Sequence, residues 1–581
     1  MRLLSTSIFV CCAAIQPSHA AVSSACSDAE KWSSQNLSPA WTSRYRDFSR
    51  GHLTPIEGMA FAHQLRKESD SRWGDFFSEY WLAHALMRSG HFPLAESGFE
   101  RVLGRLPQDK EFEDLRVASF QCLGRIHHNY PARQLSRALF PSAQALPVSH
   151  EKDYWLFRMA IEQGQHRASL KKMSSESVFA PLMQALISYE NKDWNKAASS
   201  MDSYLGRPES HPFVKSQSEH WKIFAGRVHY TASSFSRAIG YWGSVDKKSN
   251  ELVQALTEVA WAQLKSGKYN DAIGTALSLQ TGWLQNTYSP EGLMVMAMAF
   301  NETCHYPEAM RASELLRKQY EPLRVWIKDN RKLSATALYA ELVKAMKKES
   351  SAPHRLTGEW IRSSRFISRQ AEINALLKMP ERSKETLSSA RKRQKERVVE
   401  VLKLVRELKA DVVSARKSDP SRLEMPDWIN VKLDTLRARL EEYDALRAFA
   451  PVWKQADVAN TKISSKRRTE LLQLISAHIA QTNERVLSQI EDVYDNLQFV
   501  EVEIYQGATQ DMIFTNSHPD FNKKISELKK REGFGLKAQE LNWGQVSTEE
   551  LGQSEIWEDE LGGFKANLPN KCDKSNLARS L

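Results

Sequence analysis

The chain has 581 residues, with only 24 Gly and 21 Pro, and 26% of its residues are charged. That length allows a large buried core, and the composition excludes disordered, collagen-like and disulfide-dense miniature folds. A formal net charge of +10, spread along the chain rather than gathered into one stripe, favours anionic partners only weakly.

Arg2, the apolar run from Ser7 to Ile15 and the small residues of Ser18-His19-Ala20 predict a signal peptide over 1–20, cleaved after Ala20. The run is too short to span a bilayer, and no later stretch is long and uncharged enough, so no integral membrane span is expected. The mature chain is then expected in the periplasm or at the cell surface. Cleavage leaves Cys26, Cys122, Cys304 and Cys572, enough for two disulfides in an oxidising compartment, with three pairings open. Cys122 and Cys304 stand in helical context, where the simpler reading makes them small buried apolar side chains.

After a helical lead-in over 21–75, a repeated pattern covers 76–325. Its copies are Phe92-x-x-Ala95-x-x-x-Phe99-x-x-Val102, Trp194-x-x-Ala197-x-x-x-Met201-x-x-Tyr204, Phe235-x-x-Ala238-x-x-x-Trp242-x-x-Val245, Tyr269-x-x-Ala272-x-x-x-Ala276-x-x-Leu279 and Tyr306-x-x-Ala309-x-x-x-Ser313-x-x-Leu316. Ala238 and Ala272 lie one period of thirty-four residues apart. A small residue precedes each second-helix alanine by twelve positions: Ala83, Ala185, Gly226, Ala260 and Ala297. Gly90 and Gly267 mark the turns, whereas Lys192, Ser233 and Cys304 stand where other copies would want glycine. This order of large, small, turn, aromatic and alanine resembles the tetratricopeptide repeat, which implies stacked helical hairpins. Helices without a clean repeat are predicted between Gln108 and Phe179.

A helical extension or cap follows over 326–380. From 381 to 505 three apolar runs keep a three–four spacing. They are Val398, Val401, Val405, Leu408, Val412 and Ala415, then Leu433, Leu436, Leu440 and Tyr443, then Leu472, Ile475, Ile479, Val486, Ile490, Val493, Leu497 and Val500. Pro420 and Pro426 separate the first two. The spacing predicts long coiled-coil-like helices, folded back as a bundle or paired with another chain. A polar C-terminal segment, 506–581, ends in a frayed tail.

The fold class is therefore all-α, a tetratricopeptide-like α-solenoid followed by a coiled-coil-like helical bundle. The search for chemistry assigns no catalytic, cofactor-binding or metal-ligating residue, and expects no cofactor. His127-His128 reads as surface or turn histidines, because adjacent helical residues point to different faces. Gly533-Phe534-Gly535 lacks the third glycine and the preceding strand of a phosphate loop. Gly292-Leu293-Met294 resembles part of a segment of soluble lytic transglycosylases, but Val295 follows it, and Met294, Met296 and Met298 read as helix core. Arg391-Lys392-Arg393-Gln394-Lys395 and Lys466-Arg467-Arg468 read as solvated helix faces, and Glu549 to Glu560 as acidic surface.

What remains is a binding surface. First-helix positions not required by hairpin packing are expected to line a groove: Phe77, Tyr80, His84 and Met87 on one unit, and Gln254, Thr257, Trp261 and Leu264 on another. Other envelope proteins or peptides are the expected partners, with no nucleic acid and with self-association through the long helices possible. A helix of the same chain is an equal candidate to fill the groove. The segments Glu503-Ile504-Tyr505-Gln506-Gly507-Ala508 and Trp557-Glu558-Asp559-Glu560-Leu561 resemble, in a general way, repeat proteins of gliding or predatory proteobacterial envelopes. The reading is an exported, non-enzymatic scaffold; the alternative is a cell-wall enzyme with an unrecognised site in the C-terminal third.

Overall fold

The computed structural model describes residues 36–129, 135–174, 176–206, 212–418, 426–517, 566–568 and 570–572, and these form helices with no strand among them. The expected signal peptide, Cys26, Gly533-Phe534-Gly535 and Glu549 to Glu560 lie outside the described residues. Two compact units divide the chain: Met1–Ala180 with Ser368–Leu471, and Pro181–Ile367 with Leu472–Leu581. Each unit thus joins a set of short helices to part of the long ones.

In the first unit the short helices are α1 (Pro39–Ser49), α2 (Pro55–Glu68), α3 (Arg72–Arg88), α4 (Phe92–Arg105), α5 (Glu113–Asn129), α6 (Phe140–Gln144), α7 (His150–Gln163) and α8 (His166–Leu170). Their limits follow local chemistry. Thr54-Pro55-Ile56-Glu57 starts α2 with a capping box: the Glu57 amide donates to Thr54 Oγ1 at 3.3 Å, and the Thr54 amide donates to Glu57 Oε2 at 2.6 Å. Ser149 caps α7, which ends at Gly164 in the left-handed region (φ 70°). The second unit holds α9 (Ala180–Glu190), α10 (Trp194–Leu205), α11 (Pro212–Thr231), α12 (Phe235–Gly243), α13 (Leu252–Lys265), α14 (Tyr269–Ser278), α15 (Pro290–Glu302), α16 (Tyr306–Asp329), α17 (Ala335–Met346) and α18 (His354–Arg362).

Most consecutive helices within each unit pack on one another, and first helices of successive hairpins also touch: α3 on α5, α11 on α13, and α13 on α15. This is the packing of stacked hairpins. The small residues twelve apart are the points of closest approach. Ala83, Ala95, Ala185, Ala197, Ala238, Ala260, Ala272, Ala297 and Ala309 are all at most 1% exposed. At Gly226 a Cβ would stand 2.2 Å from the Trp242 indole nitrogen, so the large residue of α12 has taken the space that an alanine fills elsewhere.

The turns bear out the repeat register without the glycines. Gly90 and Gly267 adopt φ of 83° and 75°, and Lys192, Ser233 and Cys304 adopt 62°, 60° and 58° in the same place. The amide after each bonds back to the carbonyl five residues earlier: His91 to Leu86, Asp193 to Ser188, Ser234 to His229, Lys268 to Gln263 and His305 to Phe300, at 2.8–2.9 Å. That bond closes the last turn of a helix ending in the left-handed conformation. Packing imposes the turn, and three non-glycine residues accept roughly 1–2 kcal/mol of backbone cost each.

Two long helices complete the fold, α19 (Ser364–Ser418) and α20 (Asp427–Ser517). α19 ends at Ser418, and Pro426, one of the two prolines expected to part the runs, stands directly before α20; Pro420 lies outside the described residues. The second and third apolar runs, however, lie on one helix: Pro451 is inside α20. Its missing amide costs about 3 kcal/mol, which the burial of Leu446 and Trp453 (5% and 2% exposed) offsets on either side. In place of a three-part bundle, α19 and α20 form an antiparallel hairpin in the first unit. Glu372 pairs with Arg467 at 2.8 Å, Ser383 donates to Asp457 at 2.5 Å, Arg397 pairs with Glu442, and Lys432 pairs with Asp411 at 2.6 Å. Partner numbers fall on one helix as they rise on the other, which defines the register.

Candidate functional site

The expected groove residues of α3 are interior. Phe77 and Tyr80 are 0% exposed, His84 4% and Met87 6%. Helix α1, part of the segment read as a lead-in, supplies what covers them. The Tyr45 ring packs 4.9 Å from Phe77 and 5.2 Å from Trp81, and Tyr45 Oη hydrogen-bonds His84 Nδ1 at 3.2 Å. On the other side Tyr80 Oη lies 3.6 Å from Cys122 Sγ on α5. Burial lowers the pKa of His84 to about 3, so the ring is neutral. The groove reading fails here because large aromatics on a first helix were needed to fill the space between hairpins.

The α13 residues divide. Gln254 is exposed, Thr257 and Trp261 are half-buried and Leu264 is buried. Thr257 Oγ1 donates to the Val253 carbonyl at 2.7 Å and meets Ser289 Oγ at 2.8 Å, while Trp261 Nε1 donates to Glu291 Oε2 at 2.8 Å. Ser289 and Glu291 belong to the next hairpin, so both side chains join hairpins instead of facing a partner. Beneath them Arg227 donates to both oxygens of Glu258 (2.9 and 3.2 Å from Nε), and burial still raises the Glu258 pKa.

In the second unit the surface of the hairpins between Tyr288 and Trp360 carries part of α20. Tyr288 donates to the Val486 carbonyl at 3.3 Å, Trp360 Nε1 to Asn483 Oδ1 at 2.8 Å and Ser476 Oγ to the Ala335 carbonyl at 2.8 Å. Arg317, Lys328 and Arg331 pair with Glu501, Glu491 and Glu484 at 2.8–2.9 Å. The third apolar run is the buried face of this contact. Ile475, Val486, Ile490 and Leu497 are 0% exposed, and Ile479 and Val493 are 1%. Here the chain's own long helix covers the later hairpins, at residues other than those expected to line a groove.

Two of the preferred sequence readings do not hold. Cys304 and Cys572 form a disulfide, and Cys122 is disulfide-bonded as well, so neither Cys122 nor Cys304 is the free buried thiol expected. Cys304 sits at a hairpin turn, on the rim and not on a packed helix face, and that turn position was the available signal. Nor is the tail wholly frayed. The Ala566 amide donates to the Asn270 carbonyl at 3.1 Å, the Asn270 side chain clasps the Leu568 backbone at 3.0 and 3.3 Å, and the Lys571 amide donates to the Thr303 carbonyl at 3.1 Å. Residues 566–568 and 570–572 therefore run past the inter-helix turns of two successive hairpins, and the disulfide locks them there.

His127 is also not at the surface. It is 0% exposed on α5, with Nε2 3.0 Å from Glu96 Oε1 and Nδ1 2.8 Å from Arg158, whose Nε donates to Glu162 at 2.7 Å. Burial, then Arg158, lowers its pKa. The network ties α4, α5 and α7 together inside the first unit. Among the described residues no helix is long and apolar enough to cross a membrane. No family model matches the chain, and no curated protein matches it either.

Proposed function

We propose that the protein is an exported, non-enzymatic scaffold of tetratricopeptide-like hairpins that assembles or tethers envelope proteins, and that it presents its docking surface on the long helices. The observation that carries this reading is where the exposed apolar side chains lie. Among the described residues, every large hydrophobic side chain left exposed is on α19 or α20, except Val148, Val325 and Met346. Apolar groups held in water on rigid helices are what a protein-binding surface presents. The hairpins then serve as a platform, their own grooves closed by neighbouring helices. The Cys304–Cys572 bond supports export, since such bonds persist in oxidising compartments.

Affinity capture from an envelope extract tests the reading. Wild-type protein should retain a defined partner that Trp428→Asp with Val431→Asp releases. Mass spectrometry of the protein recovered from cells should find Ala21 at its N-terminus. Peptidoglycan cleavage by the purified protein, or an uncleaved N-terminus, defeats the proposal.

A further inference from the structure

Two stretches of the long helices leave apolar stripes of the same length and spacing in water. On α19 the stripe runs through Val399 (66% exposed), Leu402 (52%) and Val413 (53%). On α20 it runs through Phe499 (72%), Val502 (53%) and Ile513 (61%), with Tyr505 and Met512 exposed beside it. Each set steps three, then eleven residues, so each spans two heptads, about 21 Å of helix. Among the described residues nothing covers either stripe.

Their charges are opposite. Residues 391–417 carry ten Lys or Arg against four Asp or Glu, whereas residues 486–522 contain no Lys or Arg, and six acidic residues fall between 486 and 517. Lys403 and Lys409 are exposed beside the first stripe and Arg406 stands within it, one heptad from Val399 and Val413, and Asp492, Asp495 and Glu503 are exposed around the second. Like stripes meeting each other would set carboxylate against carboxylate, or ammonium against guanidinium, and repel. Unlike stripes match in apolar spacing, in length and in sign.

We propose that the basic stripe Val399–Val413 of one copy docks on the acidic stripe Phe499–Ile513 of a second copy. Each copy carries one stripe of each kind, so the contact is head-to-tail. It leaves a free stripe at both ends of the pair, and further copies can add. Rim charges steer the encounter and apolar side chains close it, so added salt weakens the association. The inference goes beyond the scaffold reading and rests on the long helices alone; the purified chain tests it without any envelope partner.

Sedimentation velocity and light scattering on the full-length mature protein decide it. At low salt the weight-average mass should rise with concentration to at least twice the monomer value, and return toward the monomer in high salt. Lys403→Glu with Arg406→Glu and Lys409→Glu should remain monomeric, and so should Asp492→Lys with Asp495→Lys and Glu503→Lys. Circular dichroism should match wild type in both. Mixing the two reversed variants should restore association, because each keeps the native stripe that the other has lost. A wild type that stays monomeric at every concentration overturns the proposal. So does association unaffected by Phe499→Asp, or two folded variants that fail to associate when mixed.

Discussion

Residues 398–412 of α19 and residues 475–504 of α20 carry the same apolar spacing, and the fold treats them in opposite ways. In the second stretch one apolar face is sealed against α15 to α18, and Ile475, Val486, Ile490 and Leu497 on it have no exposed surface. In the first, Val398 is 39% exposed and only Leu408, at 6%, is fully enclosed. A three–four spacing therefore specifies that a helix has an apolar face. It does not specify what covers that face, because cover depends on which residues of distant sequence come to lie alongside.

The largest effect should come from breaking that asymmetry directly. Ile490→Asp buries a carboxylate with no partner and should cost about 4 kcal/mol or more, while Val399→Asp should change stability by less than about 0.5 kcal/mol. Chemical denaturation of both variants measures the difference, and equal costs would mean that α20 is not seated on the hairpins. The disulfide comes next. Cys304→Ser with Cys572→Ser should lower stability by roughly 3 kcal/mol. Hydrogen exchange should then quicken around residues 566–572 in the second unit, with little change in the first.

Acid should act on the first unit through three buried histidines. The buried rings of His84, His91 and His127 all lie in the first unit, and burial lowers the pKa of each. A neutral buried histidine contributes stability that is fully present above the unfolded value near 6.5 and is lost as pH falls below it, since the unfolded chain then binds the proton and the folded one does not. With His84 near 3 in the fold, that loss should be roughly 2 kcal/mol by pH 5. Thermal melts of His84→Gln should show a shallower acid slope than wild type. The smallest expected effect is a gain. Lys192→Gly relieves a left-handed lysine and should add about 1 kcal/mol, whereas the same exchange at exposed Lys403, mid-helix in α19, should cost about that much.

The hairpins were legible because their signals are local. Small residues twelve apart mark where two helices must approach, and the turn position stays readable through Lys192, Ser233 and Cys304 because its neighbours keep their order. The groove was not legible. Phe77, Tyr80 and His84 have the look of residues spared for a ligand, but Tyr45, some thirty to forty residues earlier, was the partner. Thr257 and Trp261 were likewise claimed by the following hairpin. Nothing in the spacing of Pro451 showed that α20 would run through it, since the compensating burial of Trp453 against His91 links residues far apart in sequence; their rings stand 4.6 Å apart.

By itself the sequence determined an all-helical chain, the hairpin register, the turn positions and the amphipathic runs of the long helices. Each of these depends on residues within a few helical turns of one another. Only the tertiary structure decided which faces are covered, that α1 closes the α3 surface and α20 that of the later hairpins, and that Cys304 reaches Cys572 across 268 residues. Those outcomes rest on competition among several similar apolar faces for one another, and such a competition is resolved by shape and charge at contact, which a one-dimensional pattern does not contain.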